Sequence, residues 1–217
     1  ERACAQGWIS PKAMRNGIII TVLFACLIGS SLLFYAGWEL IIVGLLCVLF
    51  AFLYTTGPYP LSYNGWGDIL VIVFFGFVPV GGTYYVQALT WTTDTTIASL
   101  ICGLLIDTLL VVNNYRDREA DARSGKRTVI VRFGEKFGSY LYLMLGMTAS
   151  LLCFWFLFEG HLYAALLPLL YLIPHFLTWK RMVRIHSGKK LNSILGETSR
   201  NMLLMGILLS IGFLIRH

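Results

Sequence analysis

A chain of 217 residues that is 57% hydrophobic and only 13% charged is excluded from the ordinary soluble domains, in which about a quarter of residues carry charge. Its formal net charge of +6 would fit a nucleic-acid partner by sum alone. In so apolar a chain it is the placement of charge that counts, and the partner indicated is a lipid bilayer, with no nucleic acid.

Behind the polar opening "ERACAQGWISPKAMRNG" come seven apolar runs, at about residues 17–36, 38–54, 69–86, 95–112, 138–158, 162–179 and 202–215. Each approaches the length needed to cross roughly 30 Å of hydrocarbon, the second and last being short. The runs are continuously apolar and do not alternate as barrel strands would. The fold class expected is all-α, a polytopic transmembrane helical bundle in a single domain over residues 1–217. Five cysteines (Cys4, Cys26, Cys47, Cys102, Cys153) stand singly without a C-x-x-C pair and read as small core residues.

Basic residues orient the bundle. With the N-terminus in the cytoplasm, Arg2, Lys12 and Arg15 lie inside. So do seven basic residues between the fourth and fifth runs and six between the sixth and seventh, leaving only Arg216 outside. Sixteen of seventeen on one side is the positive-inside pattern.

Residues 111–136 hold four carboxylates, two adjacent asparagines and seven basic residues. Positive-inside explains the bases but not the acids. If the fourth helix continues past Val112, then Asn113, Asp117 and Asp121 recur at i, i+4 and i+8 and stack on one face. A ladder of hard oxygen ligands suits Mg²⁺, which takes one or two carboxylates and completes its shell with water and substrate phosphate. Lys126 and Arg127 follow closely and can hold phosphate oxygens by charge-assisted hydrogen bonds. The ligand indicated is a Mg²⁺-diphosphate. The competing reading makes Asp117, Glu119 and Asp121 simple counter-charges for neighbouring arginines.

The stretch "NNYRDREADARSGKRTVIVRFG" resembles the second aspartate-rich motif of the UbiA superfamily of membrane prenyltransferases, and most of all its menaquinone-pathway branch acting on 1,4-dihydroxy-2-naphthoate. "GWISPKAM", "YTTGPYPLSYNGWGDILVIVFFGFVPVGGTYYVQ" and "LNSILGETSRNMLLMGILLSIGFLI" agree with it. The resemblance implies nine transmembrane helices around a central cavity, in the bacterial cytoplasmic membrane with the active-site loops cytoplasmic. It implies an enzyme that transfers a polyprenyl group from polyprenyl diphosphate to an aromatic acceptor, with Mg²⁺ as cofactor. Matched to this chain, Asp117 and Asp121 are the catalytic and metal-binding residues, and Asn113, Asn114, Lys126 and Arg127 bind the diphosphate. The family's first motif, N-D-x-x-D-x-x-x-D, does not occur here. The expectation is therefore a chain lacking the N-terminal part of the family domain, and inactive alone.

Other residues stay open. Asp107, within the fourth run, reads equally as a group holding an acceptor hydroxyl or as an interhelical hydrogen bond. Tyr54, Tyr84, Tyr85, Phe74, Phe75 and Trp91 could face a carbocation, but packing explains each of them as well. Glu197, Arg200 and Asn201 read either as part of the cytoplasmic mouth or as helix caps. His161, His175, His186 and His217 form no ligand spacing. The alternatives are 4-hydroxybenzoate as acceptor, a secondary transporter, or a CDP-alcohol phosphotransferase, whose D-G-x-x-A-R signature is not matched.

Overall fold

The structure, a computed structural model, describes residues 3, 4 and 6–215; the expectations for Arg2, Arg216 and His217 fall outside them. Described residues form helices and no strands. The helices are α1 (Pro11–Phe34), α2 (Glu39–Thr55), α3 (Gly67–Ala88), α4 (Thr93–Arg123), the short α5 (Val129–Phe133), α6 (Glu135–Phe158), α7 (Leu162–Ile185) and α8 (Lys189–Leu214). Six are long and apolar enough to cross a membrane. The exception among the seven expected spans is α2, whose 17 residues rise only about 25 Å.

The chain divides into two compact units, Glu1–Phe52 and Leu53–His217. In the first, Pro11 opens α1 and the Ser10 hydroxyl accepts from Ala13 N at 3.2 Å, so a fixed φ and a satisfied orphan donor start the helix together. The α-helical part of α1 buries none of its residues, as expected of hydrocarbon made to meet other hydrocarbon.

The second unit is built around α4. Thr92 caps this helix by accepting from Thr95 N at 3.1 Å, and 31 residues carry it about 46 Å. The apolar run ends near Val112, yet the helix continues to Arg123, so the condition for the carboxylate ladder is met. It stops at Gly125, where φ is +76° and Lys126 N donates back to Asp121 O at 2.9 Å.

Helix α3 crosses α4 at Gly76 and Gly103. A Cβ on Gly76 would stand 2.5 Å from Ser99 O and 2.7 Å from Gly103 Cα, so these two backbones touch. Pro79 interrupts α3, and residues Ile72–Gly81 widen to a π-helix. Proline has no N–H to give, and its ring crowds the carbonyl four residues back.

Helices α6 and α8 pack against α4, and α7 packs on those two. His175 is buried between Tyr142 and Tyr171, with ring centroids at 4.7 and 5.0 Å, and its ring lies where a Cβ on Gly146 would be. The last span starts well before residue 202. Residues 192–201 look polar in sequence, but Glu197, Thr198 and Asn201 are buried between helices. Glu197 pairs with Arg181 at 2.7 Å, Asn201 donates to Thr178 Oγ1 at 3.0 Å, and Thr198 shares a 3.1 Å hydrogen bond with the Tyr142 hydroxyl. Glu197, Arg200 and Asn201 lie beyond the first turn of α8, which overturns the capping reading.

Candidate functional site

The last three turns of α4 present Asn113, Asp117 and Asp121 along one face, one turn apart, all partly buried. Glu119 lies exposed, as its position two residues from Asp117 requires.

Arg116 organises this face. Its Nε and Nη2 donate to the two oxygens of Asp117 at 2.7 and 2.6 Å, a bidentate fork. Nη2 also reaches Asn113 Oδ1 at 2.7 Å, and Nη1 reaches Asn192 Oδ1 on α8 at 2.9 Å. Sequence reading passed over Arg116 and Asn192. The signal for Arg116 was its place between Asn113 and Asp117, whereas nothing in sequence joins Asn192 to them. Lys126 Nζ stands 3.4 Å from Asp121 Oδ2. Asn114 is buried beside this face, about 20° around the helix from Asp121.

The loop before α3 is brought to this same end. Arg127 N donates to Tyr63 O at 2.7 Å, and Arg132 Nη2 donates to Asn64 O at 2.9 Å. Gly65 has φ +85°, and a Cβ there would stand 3.0 Å from Arg127 O, so only glycine fits easily. Hence "GPYPLSYNGWGD" and the aspartate-rich stretch, some sixty residues apart in sequence, are joined by two hydrogen bonds to backbone carbonyls. The Arg127 side chain is exposed.

A second knot braces the helix from behind. Glu135 accepts from the Tyr115 hydroxyl at 2.7 Å and from Arg118 Nη2 at 3.0 Å, and it also pairs with His186. Arg118 Nη1 reaches the His186 carbonyl at 3.0 Å. The segment joining α7 to α8 therefore lies beside the end of α4, and the two basic loops share one end of the second unit.

Two carboxylates one turn apart, with amide oxygens and cations beside them, match the hard-oxygen donor set that Mg²⁺ takes from protein when phosphate and water supply the rest. Among the described residues no group of three or more His, Cys, Asp or Glu side chains converges to hold a metal by itself.

Asp107 lies about four turns closer to the start of α4 than Asp121 and is 1% exposed. Its Oδ1 has no hydrogen-bond partner among the described residues, so the interhelical hydrogen bond is not found at that atom. Trp91 packs its ring over Gly81 and donates to Thr96 Oγ1 at 2.8 Å, a packing role.

A family model described as the UbiA prenyltransferase family matches residues 1–210. The chain is 34% identical over 229 residues to the 1,4-dihydroxy-2-naphthoate octaprenyltransferase of Haemophilus influenzae, covering 99% of this chain and 72% of that protein. It is 38% identical to the protein of the same name from Escherichia coli, covering 70% of this chain and 51% of the relative. For the Mycobacterium tuberculosis protein of that name the figures are 37%, 67% and 50%. Thus the chain spans about half the length of the latter two relatives. No solved structure matches.

Proposed function

Because the chain belongs to the UbiA prenyltransferase family, we propose that its parent protein transfers a polyprenyl group from polyprenyl diphosphate to 1,4-dihydroxy-2-naphthoate with loss of carbon dioxide, as a step in making menaquinone. The observation that carries this reading is the pairing of Asp117 and Asp121 on one helix face with Arg116 and Lys126 hydrogen-bonded to them. The names of the relatives support the acceptor.

Each residue then has a physical task. Asp117 and Asp121 would hold Mg²⁺, whose charge would neutralise the diphosphate and ease its departure. Lys126 and Arg127, with Asn113 and Asn114, hold phosphate oxygens. Arg116 keeps the Asp117 carboxylate oriented and ties it to α8 through Asn192, so the ligand arrives at a preset geometry. The allylic C–O bond breaks with its electron pair leaving on diphosphate. The ring carbon bearing the carboxylate forms the new C–C bond. Carbon dioxide then departs, and the pair left behind restores the aromatic ring. By the positive-inside pattern these loops face the cytoplasm.

The test uses the purified product of the complete reading frame, in detergent or vesicles, with Mg²⁺, a polyprenyl diphosphate and 1,4-dihydroxy-2-naphthoate. Carbon dioxide should appear in step with prenylated product. Asp117→Asn and Asp121→Asn should each lower turnover about a hundredfold or more. Near-wild-type turnover in either variant returns these acids to charge balance. Prenylation of 4-hydroxybenzoate in preference to the naphthoate would keep the family and change the acceptor.

A further inference from the structure

The buried α4 carboxylate that the diphosphate site does not use is Asp107. Its Oδ1 is buried, and no donor or acceptor among the described residues meets it. A carboxylate there lacks a donor, and a carboxylic acid there lacks a partner for one of its two oxygens. Either form is costly beside hydrocarbon unless something else supplies the hydrogen bond.

Asp107 also has polar company. Asp68 on α3 and Tyr54 at the end of α2 are both within electrostatic reach of it. Gly67 shows how they come together, since a Cβ there would touch Leu110 of α4 at 3.4 Å and the Tyr54 hydroxyl at 3.5 Å. Asp68 and Tyr54 are partly exposed while Asp107 is enclosed. Asp68 and Tyr54 thus lie between the surface and a buried oxygen that has no hydrogen-bond partner among the described residues. Two neighbouring carboxylates repel one another, and the ligand that relieves both is one offering hydroxyl donors.

The position on α4 relates these groups to the diphosphate site. Asn114 and Asp121 follow Asp107 at seven-residue steps, which turn only about 20° per step around the helix. Ten residues separate Asp107 from Asp117, an axial rise of about 15 Å. That is roughly the length of a diphosphate followed by a two-ring arene.

We infer that Asp107, with Asp68 and Tyr54 beside it, is the hydroxyl-binding end of the acceptor site and accepts a hydrogen bond from a phenolic hydroxyl of the arene. This rests on the prenyl-transfer reading for the identity of the arene, but the hydroxyl-binding site can be tested without turnover.

The probe is 1,4-dihydroxynaphthalene, compared with its dimethyl ether, which has the same rings and no donor. Binding to the product of the complete reading frame is read by quenching of protein fluorescence. The wild type should prefer the diol by about fivefold or more, the worth of one buried hydrogen bond. Asp107→Leu, similar in size and without an acceptor, should erase most of that preference and leave prenyl diphosphate binding within about twofold. A merely structural Asp107 would weaken both probes alike. Equal binding of diol and ether by the wild type overturns the inference, and that measurement stands even if the variant does not fold. An unchanged preference in folded Asp107→Leu overturns it too. Diol preference without any prenyl transfer leaves this site standing and removes the proposed reaction; prenyl transfer with an indifferent Asp107 does the reverse.

Discussion

Replacing Gly76 by alanine tests whether the contact between α3 and α4 positions the aspartate face. The added Cβ would lie 2.5 Å from Ser99 O, 2.7 Å from Gly103 Cα and 2.9 Å from Gly103 N. The worst of these is about 0.9 Å inside the 3.4 Å at which ordinary contact begins. All three obstacles are backbone atoms, so no rotamer change relieves them, and the helices must separate or shift along each other. Overpacking of this kind costs about 1–3 kcal/mol, against which alanine returns up to about 1 kcal/mol of helix propensity. A net loss of about 1–2 kcal/mol corresponds to a fall in Tm of roughly 2–8 °C for a chain of this size. Thermal unfolding in detergent measures it, with Gly206→Ala as control, since a Cβ there meets nothing within 4 Å and should be neutral or slightly stabilising. Activity should fall further than stability explains, because a shift near 1 Å at a reacting centre costs about a hundredfold. A Gly76→Ala protein matching the control in both Tm and turnover would refute the close-contact argument.

Glu119→Gln should keep turnover within about twofold of wild type, because Glu119 is exposed and an isolated surface charge contributes little; a loss like that of Asp117→Asn would contradict the one-face assignment. Glu135→Ala releases Tyr115, Arg118 and His186 together. It should cost about 1–3 kcal/mol by thermal unfolding, and hydrogen exchange should rise at the end of α4 rather than throughout. Tyr142→Phe deletes the hydroxyl shared with Thr198 and should cost about 1 kcal/mol with the acceptor KM unchanged. Gly146→Ala pushes a methyl into the His175 ring and should destabilise more than Tyr142→Phe, read as the larger fall in Tm.

Sequence alone determined the all-α membrane character, because hydrocarbon tails demand continuous apolar runs with their backbone bonds satisfied internally. It also determined the order of seven helices and the spacing of Asn113, Asp117 and Asp121, since i, i+4, i+8 is a property of the helix itself. What it misjudged was the start of α8, which begins at Lys189 and not near residue 202. There polar residues continue a helix, and hydropathy cannot distinguish a polar loop from a polar helix buried against its neighbours. Glu197, Thr198 and Asn201 look loop-like in composition, yet each has a partner on another helix. Only the tertiary structure brought Asn192 to Arg116, and Tyr63 and Asn64 to Arg127 and Arg132. Those bonds join residues about sixty to eighty positions apart, and their existence depends on how whole helices pack. The same holds for Asp107. Its burial was legible from its place in an apolar run, but the missing partner at Oδ1 is decided by which side chains α3 and α4 bring together around it, and local spacing carries no trace of that.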